Sequence, residues 1–379
     1  MKRLSALFAA VCIFIPTSCS VKKENNQFLA GIDKTGSIEL QYADQFSVDT
    51  YEGGYSLITI GSDKYLLVPE GADIPENTGG ATIINQPVDN IYLAASSAMD
   101  LFDGIECLDS ISMTSTDSKD WSLPAAARAI DSGKMTYIGK YNMPDYEALV
   151  EGDCKLAIES NMIYHSPETR EKIEQLGIPV LVESSSYESH PLGRMEWIKL
   201  YGLLLGKYDE AENFFTEKTA AFKALNTQDI PEEKRKTAAF FYISSNGYVN
   251  IRKPGDYVSK MIELAGGKYI FTAEDLGVDD NALSTMNIQT ETFYELACNA
   301  DVLIYNGTID SSLDSIEQLV DKCGILSDFK AVQNGSVWCT EQNMYQQTTG
   351  AADMIMDLNI IFSGKADESS QLAYLRKIK

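Results

Sequence analysis

Between Asp89 and Ser184 the sequence switches repeatedly between two periods, and that switching constrains the fold more than any other feature. Short apolar runs, "NIYLAA", "LDSISMTST", "MTYIG", "KLAIES" and "PVLVES", alternate with the helical segments "SSAMDLFDGI", "SLPAAARAIDSG", "PDYEALVEG" and "SPETREKIEQLG". Strands interleaved with helices predict a parallel sheet covered by helices, because a parallel connection needs a crossover long enough to hold one. Gly104, Gly133, Gly152 and Gly177 stand just past the helical segments, where a left-handed cap suits glycine.

The alternation stops near His190 and resumes after residue 236 with "TAAFFYISS", "GDYVSKMIELAGG", "IQTETFYELACN", "ADVLIYNG", "SIEQLVDKCG" and "GSVWCT". In between, Trp197, Tyr201, Leu204, Tyr208, Ala211, Phe215, Phe222 and Leu225 recur at three- and four-residue steps. Residues 191–226 therefore predict one helix of roughly 50 Å, at 1.5 Å per residue. Pro191 suits its first turn, and Gly202 and Gly206 lower helix propensity without forbidding the helix. The expected fold class is α/β: two lobes, each a central, largely parallel sheet flanked by helices, joined by one long rigid helix. A β-hairpin extension precedes them, read from the period-2 pattern of "FSVDTYEGGYSLITIGSDKYLLVP" around Gly53–Gly54 and Gly61–Ser62. The expected boundaries are an N-terminal lobe over 37–190 (hairpin region 37–88, α/β region 89–190), the joining helix over 191–226, and a C-terminal lobe over 236–379.

The two lobes repeat a phrase. "MPDYEALVEGDCKLAIES" and "IQTETFYELACNADVLIYNG" each begin an amphipathic turn with a glutamate, Glu147 or Glu291, and run into an apolar strand.

The first residues have the layout of an export signal. Lys2 and Arg3 precede an apolar run from Leu4 to Ile15, too short for a lasting membrane helix of about 20 residues. Residues 1–18 are expected to be a signal peptide; Cys19 directly after "PTS" resembles a bacterial lipoprotein lipobox, which implies that Cys19 carries lipid and 19–36 form a tether, giving an exported, membrane-anchored protein facing a periplasm or the cell surface. The formal charge is −24, and removal of Lys2 and Arg3 takes it to −26. Such a chain repels phosphate backbones, so no nucleic-acid partner is expected. Cys107, Cys154, Cys298, Cys323 and Cys339 remain after Cys12 and Cys19. An odd number with no CxxC spacing indicates neither a disulfide framework nor a zinc knuckle.

The order of "YLAASSAMDLFDGI", "GKYNMPDYE", "SKMIELAGGKYIF" and "AVQNGSVWCT" around the long helical segment resembles substrate-binding lipoproteins of ABC importers, in particular the iron-chelate (siderophore or haem) and vitamin B12 group. The resemblance covers about 89–362. It implies capture of a metal chelate between the lobes and delivery to a permease with its ATPase subunits. It also implies that Glu147 and Glu291 dock on permease arginines. An acid in a helix's first turn is equally served by the macrodipole. A cobalamin or corrinoid carrier of the same fold is the alternative. An exported enzyme is a second, but no G-x-S-x-G, P-loop, H-E-x-x-H or G-x-G-x-x-G stands where it would serve, and no catalytic residue is assigned.

In such sheets ligands lie beyond the strands' carboxyl ends. The candidates from the first lobe are Ser96, Ser97, Thr116, Trp121, Tyr141, Met143, Asn161 and Met162. Those from the second are Tyr248, Arg252, Asn306, Met344 and Tyr345. Ala95, Ser115, Asn142, Tyr164, Asn250, Asn343 and Gln346 neighbour them. Only a minority is expected to touch ligand, since Tyr and Met are also core residues. The set suits a large, partly apolar chelate such as a ferric siderophore, haem or corrinoid, with Arg252 and Lys253 placed to meet carboxylates. Two histidines, His165 and His190, cannot supply a three-histidine metal centre, so no metal ligands and no intrinsic cofactor are expected. His165 in a strand-to-helix loop would be an axial ligand at most, and is more simply a loop residue. A monomer is expected.

Overall fold

A computed structural model of the chain describes residues 29, 31–225, 227, 229–310, 312–366 and 371–379. The expected signal peptide, Cys19 and residues 19–28 of the tether lie outside the described residues.

The N-terminal region forms a five-stranded sheet, larger than the hairpin expected. Its strands β1 (Lys34–Ser37), β2 (Phe46–Tyr51), β3 (Ser56–Ile60), β4 (Asp63–Val68) and β5 (Thr82–Asn85) lie side by side in chain order. The first four are antiparallel and β5 is parallel to β4. Gly53, Gly54 and Gly61 take φ of 75°, 84° and 56° in the two tight turns, which a side chain would resist. Alternate residues divide between two cores: Phe46, Val48, Ile58, Ile60 and Tyr65 face the main one, Tyr51, Leu57 and Leu66 a small one with Leu29.

In the first lobe β6 (Ile91–Leu93), β7 (Ile111–Thr114), β8 (Thr136–Tyr137), β11 (Leu156–Ser160) and β12 (Val180–Glu183) make a parallel sheet in the order β12-β11-β6-β7-β8. A two-stranded ribbon, β9 (Gly139–Lys140) and β10 (Met143–Pro144), follows β8. Helices α1 (Met99–Gly104), α2 (Pro124–Asp131), α3 (Tyr146–Glu151) and α4 (Pro167–Gln175) supply the crossovers. Both faces are covered: Leu93, Leu156, Ile158 and Leu181 enter the main core, while Tyr92, Ala157, Val180 and Val182 meet Leu149 of α3 and Ile173 of α4. Two-sided burial is why these strands read as continuous apolar runs.

Residues 191–226 are not one helix. They form α5 (Pro191–Glu196), α6 (Ile198–Leu204) and α7 (Tyr208–Lys223), with Gly206 at φ 69° in the break. A Cβ on Gly202 would come within 2.6 Å of the Ala211 side chain and 2.7 Å of the Lys207 carbonyl, so this glycine lets the chain turn and α6 pack on α7. Trp197, Tyr201, Leu204, Ala211 and Phe215 are fully buried, but the stripe they form serves separate helices. The 16 residues of α7 extend about 24 Å, half the expected rod. Connection between lobes is shared: α6 packs on α1, while α5 and α7 pack on α13 (Ala351–Phe362) of the second lobe.

The N-terminal sheet is tied to this joint. Backbone N–H groups of Gln41, Tyr42 and Ala43 donate to the Glu196 carboxylate at 2.7–3.0 Å, and those of Asp44 and Gln45 to Glu188 at 2.8 and 3.1 Å. The Tyr42 ring stacks on His190, centroids 4.5 Å apart.

The second lobe holds β13 (Thr237–Ile243), β14 (Val249–Arg252), β15 (Lys268–Tyr269), β16 (Thr285–Ile288), β17 (Val302–Tyr305), β18 (Val337–Thr340) and β19 (Leu375–Lys377) in one mixed sheet. Strands β13, β15, β17 and β18 are parallel; β14 and β19 run against them, and β16, antiparallel to β14, runs with them. The antiparallel step follows from "SSNG", a tight turn with Gly247 at φ 81° that returns the chain beside β13. Around the sheet lie α8 (Tyr257–Leu264), α9 (Ala273–Leu276), α10 (Thr290–Ala297), α11 (Ile316–Lys322), α12 (Lys330–Gln333) and α13.

Candidate functional site

The first lobe's strand order reverses between β6 and β11: the chain winds outward through β7 and β8 from one, and through β12 from the other. Loops leaving the carboxyl ends of those two strands diverge and leave a crevice. The candidates Ser96 and Ser97 follow β6, and Asn161 and Met162 follow β11.

A platform of exposed apolar and aromatic side chains stands on these ends. Met143 is 75% exposed, Met162 49%, Tyr164 57% and Tyr187 51%. Hydrogen bonds link the loops that carry them. Thr169 Oγ1 donates to the Asn142 carbonyl at 3.0 Å, holding the β9–β10 ribbon at the head of α4. Ser184 Oγ donates to Asn161 Oδ1 at 3.2 Å, joining the loops after β11 and β12. These four are large apolar or aromatic groups left exposed on segments of the first lobe. Tyr141 is half-buried against the core behind them.

In the second lobe three candidates meet. An Arg252 Nη and Asn306 Nδ2 (2.8 Å) both donate to the Tyr345 hydroxyl. Arg252 also pairs with Asp256 at 3.4 Å. Burial disfavours the guanidinium charge, but Tyr345 and Asp256 outweigh it and hold the pKa above its ordinary value. Burial pushes the Tyr345 phenol up to about 12 although Arg252 pulls it down. Arg252, expected to meet ligand carboxylates, is thus the last residue of β14 and already engaged. On its far side the Arg194 guanidinium lies 4.1 Å from the centroid of the Tyr257 ring. Tyr248 is exposed in the β13–β14 turn.

The two lobes touch along one seam, where strand ends of both sheets converge. Gln346, beyond β18, accepts from Ser122 N at 2.5 Å and donates to the Asp120 carbonyl at 2.8 Å. Thr348 Oγ1 donates to the Ser97 carbonyl at 2.7 Å, and Thr349 N to Asp100 Oδ2 at 2.7 Å. Asp100 therefore caps the approach to α13 from the opposite lobe, although burial raises its pKa. Several candidates belong to this seam and not to an open surface. Trp121 is buried, its indole N–H on the Thr116 carbonyl at 3.2 Å. Met344 is buried and lines, with Arg194 and Thr348, a cavity of only about 10 Å³. That volume admits no chelate, so Met344 is a packing residue.

Sequence reasoning missed Arg194, Tyr257, Tyr187 and Glu183. Glu183 ends β12 fully buried, accepting from Ser185 N at 2.9 Å, with Ser97 Oγ at 3.5 Å. Burial raises its pKa, and Arg194 and the serines oppose the rise. An acid closing an apolar strand was the available signal. His165 is exposed in the turn after β11; His190 caps α5 through Nδ1, 3.2 Å from Leu192 N, and burial lowers its pKa to about 4. Among the described residues no group of three His, Cys, Asp or Glu is placed to hold a metal.

Glu147 and Glu291 are exposed in the first turns of α3 and α10. Each helix leads into the strand, β11 or β17, that pairs with its lobe's first α/β strand, β6 or β13. The glutamates are therefore topologically equivalent, both at the strand-carboxyl ends.

Residues 93–343 match the sequence pattern of the family described as "Periplasmic binding protein". Two proteins of Methanocaldococcus jannaschii, both named uncharacterized lipoproteins, are each 25% identical: one over 94% of this chain and 85% of its own length, the other over 91% and 88%. Among solved structures, a periplasmic binding protein from Veillonella parvula aligns with a TM-score of 0.59 at 15% identity, covering 84% of this chain and 98% of its own. The petrobactin-binding protein YclQ of Bacillus subtilis aligns at 0.57 and 16%, covering 78% and 98%. The haem-binding protein HutB of Vibrio cholerae aligns at 0.56 and 15%, covering 71% and 98%. The N-terminal sheet, β1–β5, precedes the matched residues.

Proposed function

The chain belongs to the periplasmic binding protein family, and from that premise we propose that it is the extracytoplasmic solute-binding component of an ABC importer. Its cargo is a metal chelate, a ferric siderophore or haem, held at the gap between the lobes and delivered to a permease. A corrinoid carrier is the alternative. The observation that carries the reading is the set of large apolar side chains, Met143, Met162, Tyr164 and Tyr187, left exposed on segments that follow the first lobe's strands. Planar or chelated molecules with apolar flanks bind such surfaces by burying area, with amide groups fixing orientation. The names of the relatives and neighbours, lipoproteins and haem- or siderophore-binding proteins, support the same class. Among the described residues no helix is long and apolar enough to cross a membrane; anchoring would rest on Cys19. The protein so read is a carrier and not a catalyst, and acts as a monomer.

Thermal-shift screening of the purified chain against haem, cobalamin and ferric siderophores tests the ligand class. A ligand at a hundred times its Kd adds about 2.7 kcal/mol and raises the melting temperature in a dose-dependent way. No shift with any of these compounds would withdraw it.

Docking is tested separately. Glu147→Lys with Glu291→Lys is expected to reduce uptake in reconstituted vesicles at least about tenfold, since paired carboxylates facing arginines become like charges. Ligand binding by the purified variant should be unchanged. Uptake at the wild-type rate would remove both glutamates from the interface.

A further inference from the structure

The N-terminal sheet has two edges, β1 and β5, and they are built differently. The β1 edge carries features that discourage further pairing: Lys34, ion-paired with Asp49, then Gly36, with a shift of register between them. The β5 edge, "TIIN", has no charge, proline or glycine. Just past it, the Gln86 N–H donates to the Val68 carbonyl of β4 at 2.9 Å. Backbone polar groups of a strand point to alternate sides, so those of Ile83 and Asn85 turn away from β4. No strand of the described residues pairs with β5 on that side.

A groove of about 670 Å³ runs beside this edge, lined by Ile74, Ile83 and Asn85 of the N-terminal region and by Val150, Leu176 and Pro179 of the first lobe. Ile74 is 53% exposed, Val150 56% and Leu176 41%. An open edge next to apolar side chains offers an extended peptide a ladder for its backbone and a seat for alternate side chains. Charge selects the occupant. Asp73 and Glu151, next in sequence to Ile74 and Val150, are exposed and have no ion-pair partner among the described residues. Lys155, which also lines the groove, is held by Asp153 at 2.5 Å. A second copy of a chain with formal charge −24 would be repelled. We infer that the β5 edge is a docking site for an extended, basic segment of another protein, which adds a strand to the N-terminal sheet and places apolar side chains in the groove. Lys155 and Pro179 stand just before β11 and β12, at the strands' amino ends, so an occupant leaves the cargo gap open.

Fluorescence anisotropy of the full chain with a labelled Lys-Val-Lys-Val-Lys-Val peptide tests this. The peptide is expected to bind at least about tenfold tighter than the same peptide N-methylated at every amide, which keeps the charge but cannot form the ladder. Equal affinities would show attraction by charge alone and overturn the inference. Val150→Ser with Leu176→Ser changes two exposed side chains and no charge, and is expected to weaken binding about tenfold. Ile83→Pro, which removes an N–H that β4 does not use, should weaken it as much. Unchanged affinity in the serine variant would take the peptide out of the groove and overturn the proposal. So would a dimer in sedimentation that Ile83→Pro dissolves, or binding seen only after residues 19–28 are removed, since a second copy or the chain's own tether would then hold the edge.

Discussion

Replacing Glu196 by alanine is expected to lower the unfolding free energy by about 3–5 kcal/mol, read as a fall in the denaturant midpoint. The Glu196 carboxylate is fully buried and accepts from three successive backbone N–H groups, those of Gln41, Tyr42 and Ala43. It also lies 2.9 Å from the ammonium of Lys199, itself 1% exposed. Alanine would orphan the three donors and leave Lys199 with Glu212 alone, 2.7 Å away and partly solvated. Removing one member of a buried ion pair costs more than the pair is worth, because the remaining charge stays desolvated. The double variant Glu196→Ala, Lys199→Met should therefore recover part of the loss. A single variant within about 1 kcal/mol of wild type would show that the strap at 41–43 does not depend on this carboxylate. The N-terminal sheet lies outside the residues that match the family, yet it is fastened to α5 at the joint between the lobes. Loss of Glu196 should thus loosen the sheet and the joint together.

How much of this was legible in the sequence depended on the range of the forces involved. The α/β alternation was readable because a strand buried on both faces must be apolar at nearly every position, as Leu156–Ile158 and Val302–Tyr305 are. The helix stripe from Trp197 to Phe215 was also real, but periodicity reports burial and not chain direction. Gly206 after "LLL" was the stop signal, a left-handed residue past a helix end, and it was outweighed by the regular spacing on either side. The outer strands β1 and β5 of the N-terminal sheet are four residues each and too short to show a period. At the site, which side chains gather depended on loops meeting across long sequence separations. Asp256, four residues from Arg252, was the one local hint that this arginine would be neutralised. Nothing local marks Gln346 as a residue that bridges the lobes, or Met344 near it as buried.

Glutamine at position 159 is expected to stabilise the protein at alkaline pH and leave it unchanged in acid. Glu159 sits on β11 with no exposed surface, on the sheet face that carries Ala157, Val180 and Val182, and neither carboxylate oxygen has a hydrogen-bond partner. The Tyr92 hydroxyl on the same face is likewise without one. Burial pushes the Glu159 carboxyl from its ordinary 4.5 up to about 8. Below 4.5 the group is protonated whether the chain is folded or not, and its ionisation costs nothing. Between the two values the unfolded chain releases the proton and the folded chain keeps it. Stability then falls as pH rises, by about 1.4 kcal/mol per unit. Above pH 8 the folded chain ionises too and the loss levels off, at no more than about 5 kcal/mol. Glutamine has the shape of the protonated acid and cannot ionise, so Glu159→Gln should abolish this slope. Subtracting the two stability profiles cancels the other buried carboxyls, including Glu188 and Asp357, whose pKa values burial also raises. Denaturant midpoints measured from pH 4 to pH 9 should coincide at the acid end and separate progressively with rising pH. Profiles that stay parallel would mean that Glu159 reaches solvent or a cation once ionised, and that this face of β11 opens more readily than its packing implies.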